Sequence, residues 1–246
     1  MRPLGAGHRH AGLDRHDEPG DRPRLRLDPE KKSLTASERD EAAREAWRRR
    51  AAAVDPTRWV WVDEFGSHVA LTRTHARSPR GSRAYGRAPR NRGPNRTTLA
   101  SLTLDGLAPG LVLEGGVTTR AFEAYVEHRL APTPQPGQIV ALDNLRQHRS
   151  ARTRALIEAR GAELWFLPSY SPDLTPIEEA FSKVKSLLRT AAARAHEALV
   201  AAIWAALAAI SPADARGYFT HCGYPQQSRR RPRVQTTATR QERRTA

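Results

Sequence analysis

The chain has 246 residues, enough to bury one sizeable core, and carries 41 basic against 26 acidic side chains for a net charge of +15. That balance points to an anionic partner, nucleic acid first, although arginine supplies 37 of the 41 basic residues and an arginine-rich surface alone gives the same count. The single cysteine, Cys222, excludes an intramolecular disulfide and a thiolate zinc cluster and fits a reducing cytosol; the N-terminus shows no apolar signal core, and the longest apolar stretch, Ala198 to Ile210, is too short to span a bilayer.

Residues 1–30 mix Arg, Asp, Pro, Gly and His with almost no periodic apolar positions, so they read as a disordered segment. A helical lead-in fills 31–56. Ser37 to Ala53 reads as a helix with Ser37 as cap and Asp40 completing a cap-like box, and it stops before Asp55-Pro56. Its Arg48-Arg49-Arg50 run reads as a solvated face.

Trp59-Val60-Trp61-Val62 is a continuous apolar run rich in β-branched and aromatic residues, as a strand covered on both faces requires, and it runs into Asp63. Residues 65–104 then contain no acidic residue. Arg73, Arg77, Arg80, Arg83, Arg87, Arg90, Arg92 and Arg96 fall there among Gly and Pro, which makes a basic, turn-rich excursion suited to tracking phosphates or to standing as a solvated linker. Thr98 to Leu104 and Leu111 to Leu113 read as strands around the turn Asp105-Gly106, an antiparallel meander with the first strand.

Thr118 to Leu130 is a helix by spacing, with Phe122, Tyr125, Val126 and Leu130 as its buried face. Pro132, Pro134, Pro136 and Gly137 break it and lead into Ile139-Val140-Ala141-Leu142, a second buried strand that also ends in an aspartate, Asp143. Ser150 to Arg160 is helical and stops at Gly161; Glu163 to Leu167 is the next strand. A turn rich in proline and serine leads to a helix with Thr175 as N-cap and Pro176 at its first position, whose apolar face carries Ile177, Phe181, Val184 and Leu188. Ala195 to Ile210 and Pro212 to Tyr224 supply two more helices. The tail, 226–246, is basic and lacks core-forming residues.

Glu178 sits three residues after Thr175. Thr-x-x-Glu is the capping-box pattern, so Glu178 reads either as a cap or as a carboxylate aimed at a site. Functional crevices of open α/β sheets lie off the carboxyl ends of strands, where Asp63 and Asp143 both fall. Three carboxylates in one cleft are hard oxygen ligands for Mg²⁺ or Mn²⁺ rather than zinc. Glu64 and Glu179, the chain neighbours of Asp63 and Glu178, project in other directions, and Asp173 reads as a turn residue.

Val-Asp63-Glu64, Leu-Asp143-Asn144-Leu-Arg-Gln-His148 and Leu-Pro-Ser-Tyr-Ser-Pro-Asp-Leu-Thr-Pro-Ile-Glu178 resemble the three signatures of DDE transposases, most nearly the bacterial insertion-sequence branch of the mariner-like superfamily. The likeness runs from about Lys31 to Tyr224, and the 34 residues between Asp143 and Glu178 are an interval this group uses. Phe65 stands where the family usually has a small or hydroxyl residue, Ser169 replaces a proline and Thr175 an asparagine. None of these touches a carboxylate.

The resemblance implies an α/β fold with a ribonuclease H-like mixed sheet, three antiparallel strands then parallel βαβ units, flanked by helices, over 57–225. It implies Asp63, Asp143 and Glu178 as the catalytic, metal-binding triad. Two Mg²⁺ or Mn²⁺ ions, about 4 Å apart in this chemistry, would activate the attacking oxygen and stabilise the leaving one. Asp63 and Asp143 would hold one between them and Glu178 complete the site for the other. Asn144 and His148 are supporting candidates, Asn144 towards Asp143 or a bound water and His148 towards phosphate; each is equally a stabiliser of its turn. Arg73, Arg77, Arg80, Arg83, Arg87 and Arg90, with Lys183 and Lys185, are candidates for DNA contact.

The implied partner is DNA, at element ends and target, with the protein as a homodimer when engaged, cytoplasmic and nucleoid-associated, and without a membrane role. Relatives carry an N-terminal helix-turn-helix region for which the sequence has no room, so a truncated copy is expected, with 1–30 foreign to the fold. A silent DNA-binding remnant and a ribonuclease H-like nuclease are the alternatives to an active enzyme.

Overall fold

The computed structural model describes residues 36–224; the segments read as disordered, 1–30 and 226–246, lie outside them. Five strands form one sheet in the order β3-β2-β1-β4-β5. They are β1 (Trp59–Ser67), β2 (Arg96–Thr103), β3 (Gly106–Glu114), β4 (Ile139–Leu142) and β5 (Glu163–Phe166). β1 pairs antiparallel with β2 and β2 with β3, while β4 runs parallel to both β1 and β5. The sheet is thus the expected ribonuclease H-like one.

Strand parity sorts the side chains of β1. Trp59, Trp61 and Phe65 enter one core with α1 (Glu41–Ala52), α4 (Pro176–Ala191), α5 (His196–Ala208) and α6 (Pro212–His221). Val60 and Val62 enter a second core with α2 (Thr119–Tyr125) and α3 (Ala151–Glu158). All four residues Trp59 to Val62 are at most 2 % exposed, which is why this run shows no polar alternation.

Several boundaries differ from expectation for identifiable reasons. β1 does not stop at Asp63. It continues to Ser67 on β2 alone, with Asp63 opposite Ala100, after its parallel pairing with β4 has ended at Trp61. β3 begins at Gly106, well before Leu111, and a register shift between Leu99 and Ser101 accommodates Pro109-Gly110, which reads locally as a turn. Gly110 is needed there, because a Cβ would lie 1.6 Å from the carbonyl oxygen of Leu99.

The α1 cap is Asp40, which accepts from the Ala43 N–H, and not Ser37. α2 ends in a π-helical turn, Val126–Leu130. The lead-in helix is part of the core. Trp47 packs among Trp59, Trp61 and Trp165, and its indole N–H donates to the Tyr224 hydroxyl at 3.0 Å. Tyr224 in turn donates to the carbonyl of Leu174 at 2.8 Å, so both ends of the described chain brace the turn ahead of α4. The Arg48-Arg49-Arg50 run is not simply a solvated face: the Arg50 guanidinium stacks on the Trp165 ring at 3.3 Å. No single helix among the described residues is long and apolar enough to cross a membrane.

Candidate active site

Parity places Asp63 on the same face of β1 as Trp61 and Phe65, the face that α4 covers. Asp143 follows β4 directly, one strand over. Glu178 is the third residue of α4, exposed at its first turn. β1, β4 and α4 therefore carry the three carboxylates to one end of the sheet, near enough for the charges of Asp143 and Glu178 to act on Asp63.

Their mutual influence appears in their ionisation. The Asp63 carboxyl is pushed up to about 8, first by burial; the Glu64 N–H, 2.8 Å from its Oδ1, pulls the other way, and the charges of Glu64, Asp143 and Glu178 add to the rise. Glu178 is raised too, by desolvation first, with Lys185 opposing and Asp143 among the charges that add. Carboxylates that resist ionisation together are what a divalent cation relieves, and their oxygens are the hard donors it takes. Among the described residues, no group of three His, Cys, Asp or Glu side chains is placed to close on one ion. The donor chemistry fits a divalent ion, and the side chains must draw in to bind it.

Glu178 does not act as a capping glutamate. Thr175 occupies the N-cap position, but its side chain makes no cap bond and its hydroxyl donates to the Ser171 carbonyl at 3.4 Å. The helix start is set by the short 3₁₀ turn Pro172–Leu174 and by Pro176, which leaves the Glu178 side chain without a capping role, in a surface recess it lines with Pro172, Asp173, Glu179 and Ser182.

Asp143 is held from one side. Its Oδ1 accepts the Leu145 N–H at 3.2 Å and meets Nδ1 of His148 at 2.5 Å. His148 is fully buried, tilted against the Phe122 ring with centroids 4.1 Å apart, and its Nε2 lies 3.3 Å from Glu64 Oε2. Burial alone would lower this imidazole's pKa; the bond to Asp143 and the carboxylates of Asp143 and Glu64 beside it outweigh it and lift the ring to about 9. The phosphate contact expected of His148 is ruled out by that burial. Asn144 is not aimed at Asp143 either: its Oδ1 accepts from Arg149 Nε at 2.6 Å.

A cleft of about 300 Å³ opens beside Asp143, walled by Leu145, Leu167, Pro168 and Tyr170. Tyr170 is 56 % exposed and held at φ 54°, a left-handed backbone uncommon for an aromatic residue and characteristic of functional loops.

The basic excursion, 68–95, contains no helix or strand, and Arg73, Arg77, Arg80, Arg83, Arg87 and Arg90 are all exposed along it. Its base is pinned: Arg194, in the turn between α4 and α5, donates to the carbonyls of Val69 and Leu71 at 2.7 and 2.8 Å. Arg73 reaches Thr190 on α4. Lys185 lies over the Phe65 ring at 5.9 Å and within electrostatic reach of Glu178. Lys183 is engaged elsewhere, its ammonium 2.7 Å from both oxygens of Asp214.

Two polar residues of this region escape a local reading. Arg44 of α1 is fully buried and pairs with Asp173, so Asp173 is more than a turn residue. Glu64 reaches His148 on the face away from Asp63. Nothing in the local sequence signals either contact.

Residues 58–200 match the family model described as DDE superfamily endonuclease. No curated protein matches the sequence. Among solved structures, the chain is similar to a pre-cleavage Mos1 transpososome at 16 % identity and a TM-score of 0.59, covering 80 % of this chain and 64 % of that one. It is similar to the Mos1 strand transfer complex at 18 % identity and TM-score 0.61, covering 80 % and 62 %. The mariner Mos1 paired end complex with Mg gives 16 % and 0.61, covering 80 % and 65 %. At such identities the likeness fixes the ribonuclease H-like fold, and the chain spans just under two thirds of the length of these Mos1 chains.

Proposed function

We propose, from the premise that this chain belongs to the DDE superfamily of endonucleases, that it is the catalytic part of a transposase that cuts DNA and joins the cut end to a target. The observation that supports this reading is that Asp63 and Glu178 are both raised, each in part by the charge of Asp143, with the three carboxylates carried by β1, β4 and α4 near one end of the sheet. Together they would hold Mg²⁺ or Mn²⁺, as two ions. A bound divalent ion supplies charge neutralisation at the phosphate and a lowered pKa for the attacking oxygen.

The chain's own contribution is placement. Asp143 offers Oδ2, since Oδ1 is taken by Leu145 and His148. Asp63, half-buried on β1, would give its carboxylate oxygens to the ion. Lys185 offsets the Glu178 charge where a phosphate must approach. The arginines of 68–95 draw in the DNA backbone. Water attacks phosphorus and the 3′ oxygen leaves, taking up a proton as a 3′ hydroxyl and leaving a 5′ phosphate; that hydroxyl then attacks a target phosphate, whose own 3′ oxygen leaves as the target strand's 3′ hydroxyl. Two element ends handled at once call for two copies of the chain, working where the nucleoid is.

The test is nicking of supercoiled plasmid with Mn²⁺ or Mg²⁺, native chain against Asp143→Ala. A metal-dependent nick that the variant loses supports the reading. Absence of any nick from folded protein favours a silent DNA-binding remnant, and nicking with no joining of cut ends to a target favours a ribonuclease H-like nuclease.

A further inference from the structure

We propose that Glu64 is a positioning residue which, acting through His148, fixes the Asp143 carboxylate with one oxygen turned to the cleft. This rests on the metal-dependent reading above. Glu64 follows Val60 and Val62 on the face of β1 that α2 and α3 cover, and its side chain is only 19 % exposed. A carboxylate at the end of an apolar row is costly unless it is paired. Its partner is His148, with Nε2 3.3 Å from Oε2.

His148 cannot swing away. It closes the 3₁₀ turn Arg146–His148, has no exposed surface, and lies against Phe122. Its other nitrogen meets Oδ1 of Asp143, the same oxygen that accepts the Leu145 N–H. With Oδ1 held twice, rotation about the carboxylate is stopped and Oδ2 is left for a ligand. Glu64, on the side of the sheet away from Asp63, anchors the far end of this chain of contacts. Groups that hold a ligating carboxylate from behind commonly govern metal affinity by about 10–100-fold.

The experiment uses the full chain and Mn²⁺ as probe, with affinity read by calorimetry and folding by metal-free melting. Glu64→Gln keeps the shape and removes the charge. It is expected to weaken Mn²⁺ binding about tenfold while melting within about 2 °C of native. A Glu64 that only stabilises the fold would do the reverse; lowered melting with unchanged affinity overturns the proposal. The double variant Glu64→Gln/His148→Gln checks the route. It should bind Mn²⁺ no more weakly than His148→Gln alone, and additive losses overturn action through His148. Native protein that fails to bind Mn²⁺ overturns the metal reading itself, whereas native binding with an unaffected Glu64→Gln overturns this proposal alone.

Discussion

The Arg44 guanidinium in α1 grips the Asp173 carboxylate from 129 residues away, Nη1 to Oδ1 at 3.0 Å and Nη2 to Oδ2 at 2.6 Å. This two-pronged bond, the first cause of a lowered Asp173 pKa, ties the lead-in helix to the turn that launches Glu178.

Asp173→Ala leaves Arg44 buried without its main partner. We expect a loss of about 2–3 kcal/mol, below the about 3–5 kcal/mol of a fully buried pair because Asp173 is half-exposed, and a melting temperature lower by roughly 5–10 °C. Arg44→Met/Asp173→Ala should melt no lower than Asp173→Ala alone. A double variant markedly less stable than the single would show that Arg44 contributes by packing and not by pairing.

Glu178→Ala separates cap from ligand. Since Thr175 makes no side-chain cap bond and Glu178 resists its own charge, the substitution should change stability by less than about 0.5 kcal/mol. It should also abolish metal-dependent nicking. A drop of about 1 kcal/mol or more in denaturant melts would restore the capping reading.

Asp214 gives a pH signature. Lys183 first, and Ser211 after it, hold its carboxyl down at about 2. A depressed carboxyl stabilises the fold above its unfolded pKa, about 3.9, and loses that contribution as pH falls through the folded value. Lys183→Met should therefore melt below native at pH 6, with the gap closing between about pH 4 and pH 2. A gap that persists at pH 2 would assign the effect to lost packing.

The arginines of 68–95 are tested through salt. Replacing Arg77, Arg80, Arg83 and Arg87 with alanine should weaken duplex binding equally across unrelated sequences. For every phosphate an arginine no longer neutralises, the slope of log affinity against log salt should flatten by about 0.9. An unchanged slope in filter binding from about 50 to 200 mM salt would make the segment a bystander.

The apolar runs of β1, β4 and β5 were legible because each is buried on both faces, and the Asp after two of them follows from chain order. The second half of β1 was not, since Glu64-Phe65-Gly66-Ser67 has no strand pattern of its own and is held only by β2. Pro109-Gly110 hid the first half of β3, because a bulge and a turn ask for the same residues. The site's outer contacts were beyond local spacing altogether. Arg44 meets Asp173 through the tertiary fold, and a histidine in a polar string gives no sign that Phe122 will bury it.

Tyr224 receives the Trp47 N–H and donates to Leu174, a closure that sets where the chain can be cut. The family match covers 58–200, but a fragment with those limits would lack α1, α6 and Tyr224. It would present Trp59, Trp61 and Trp165 to water, a sticky aromatic surface that α1, α6 and Tyr224 otherwise cover. The smallest piece able to stay monodisperse in a tube thus begins by Asp40 and ends no earlier than Tyr224, and a shorter one would precipitate before any assay of its chemistry began.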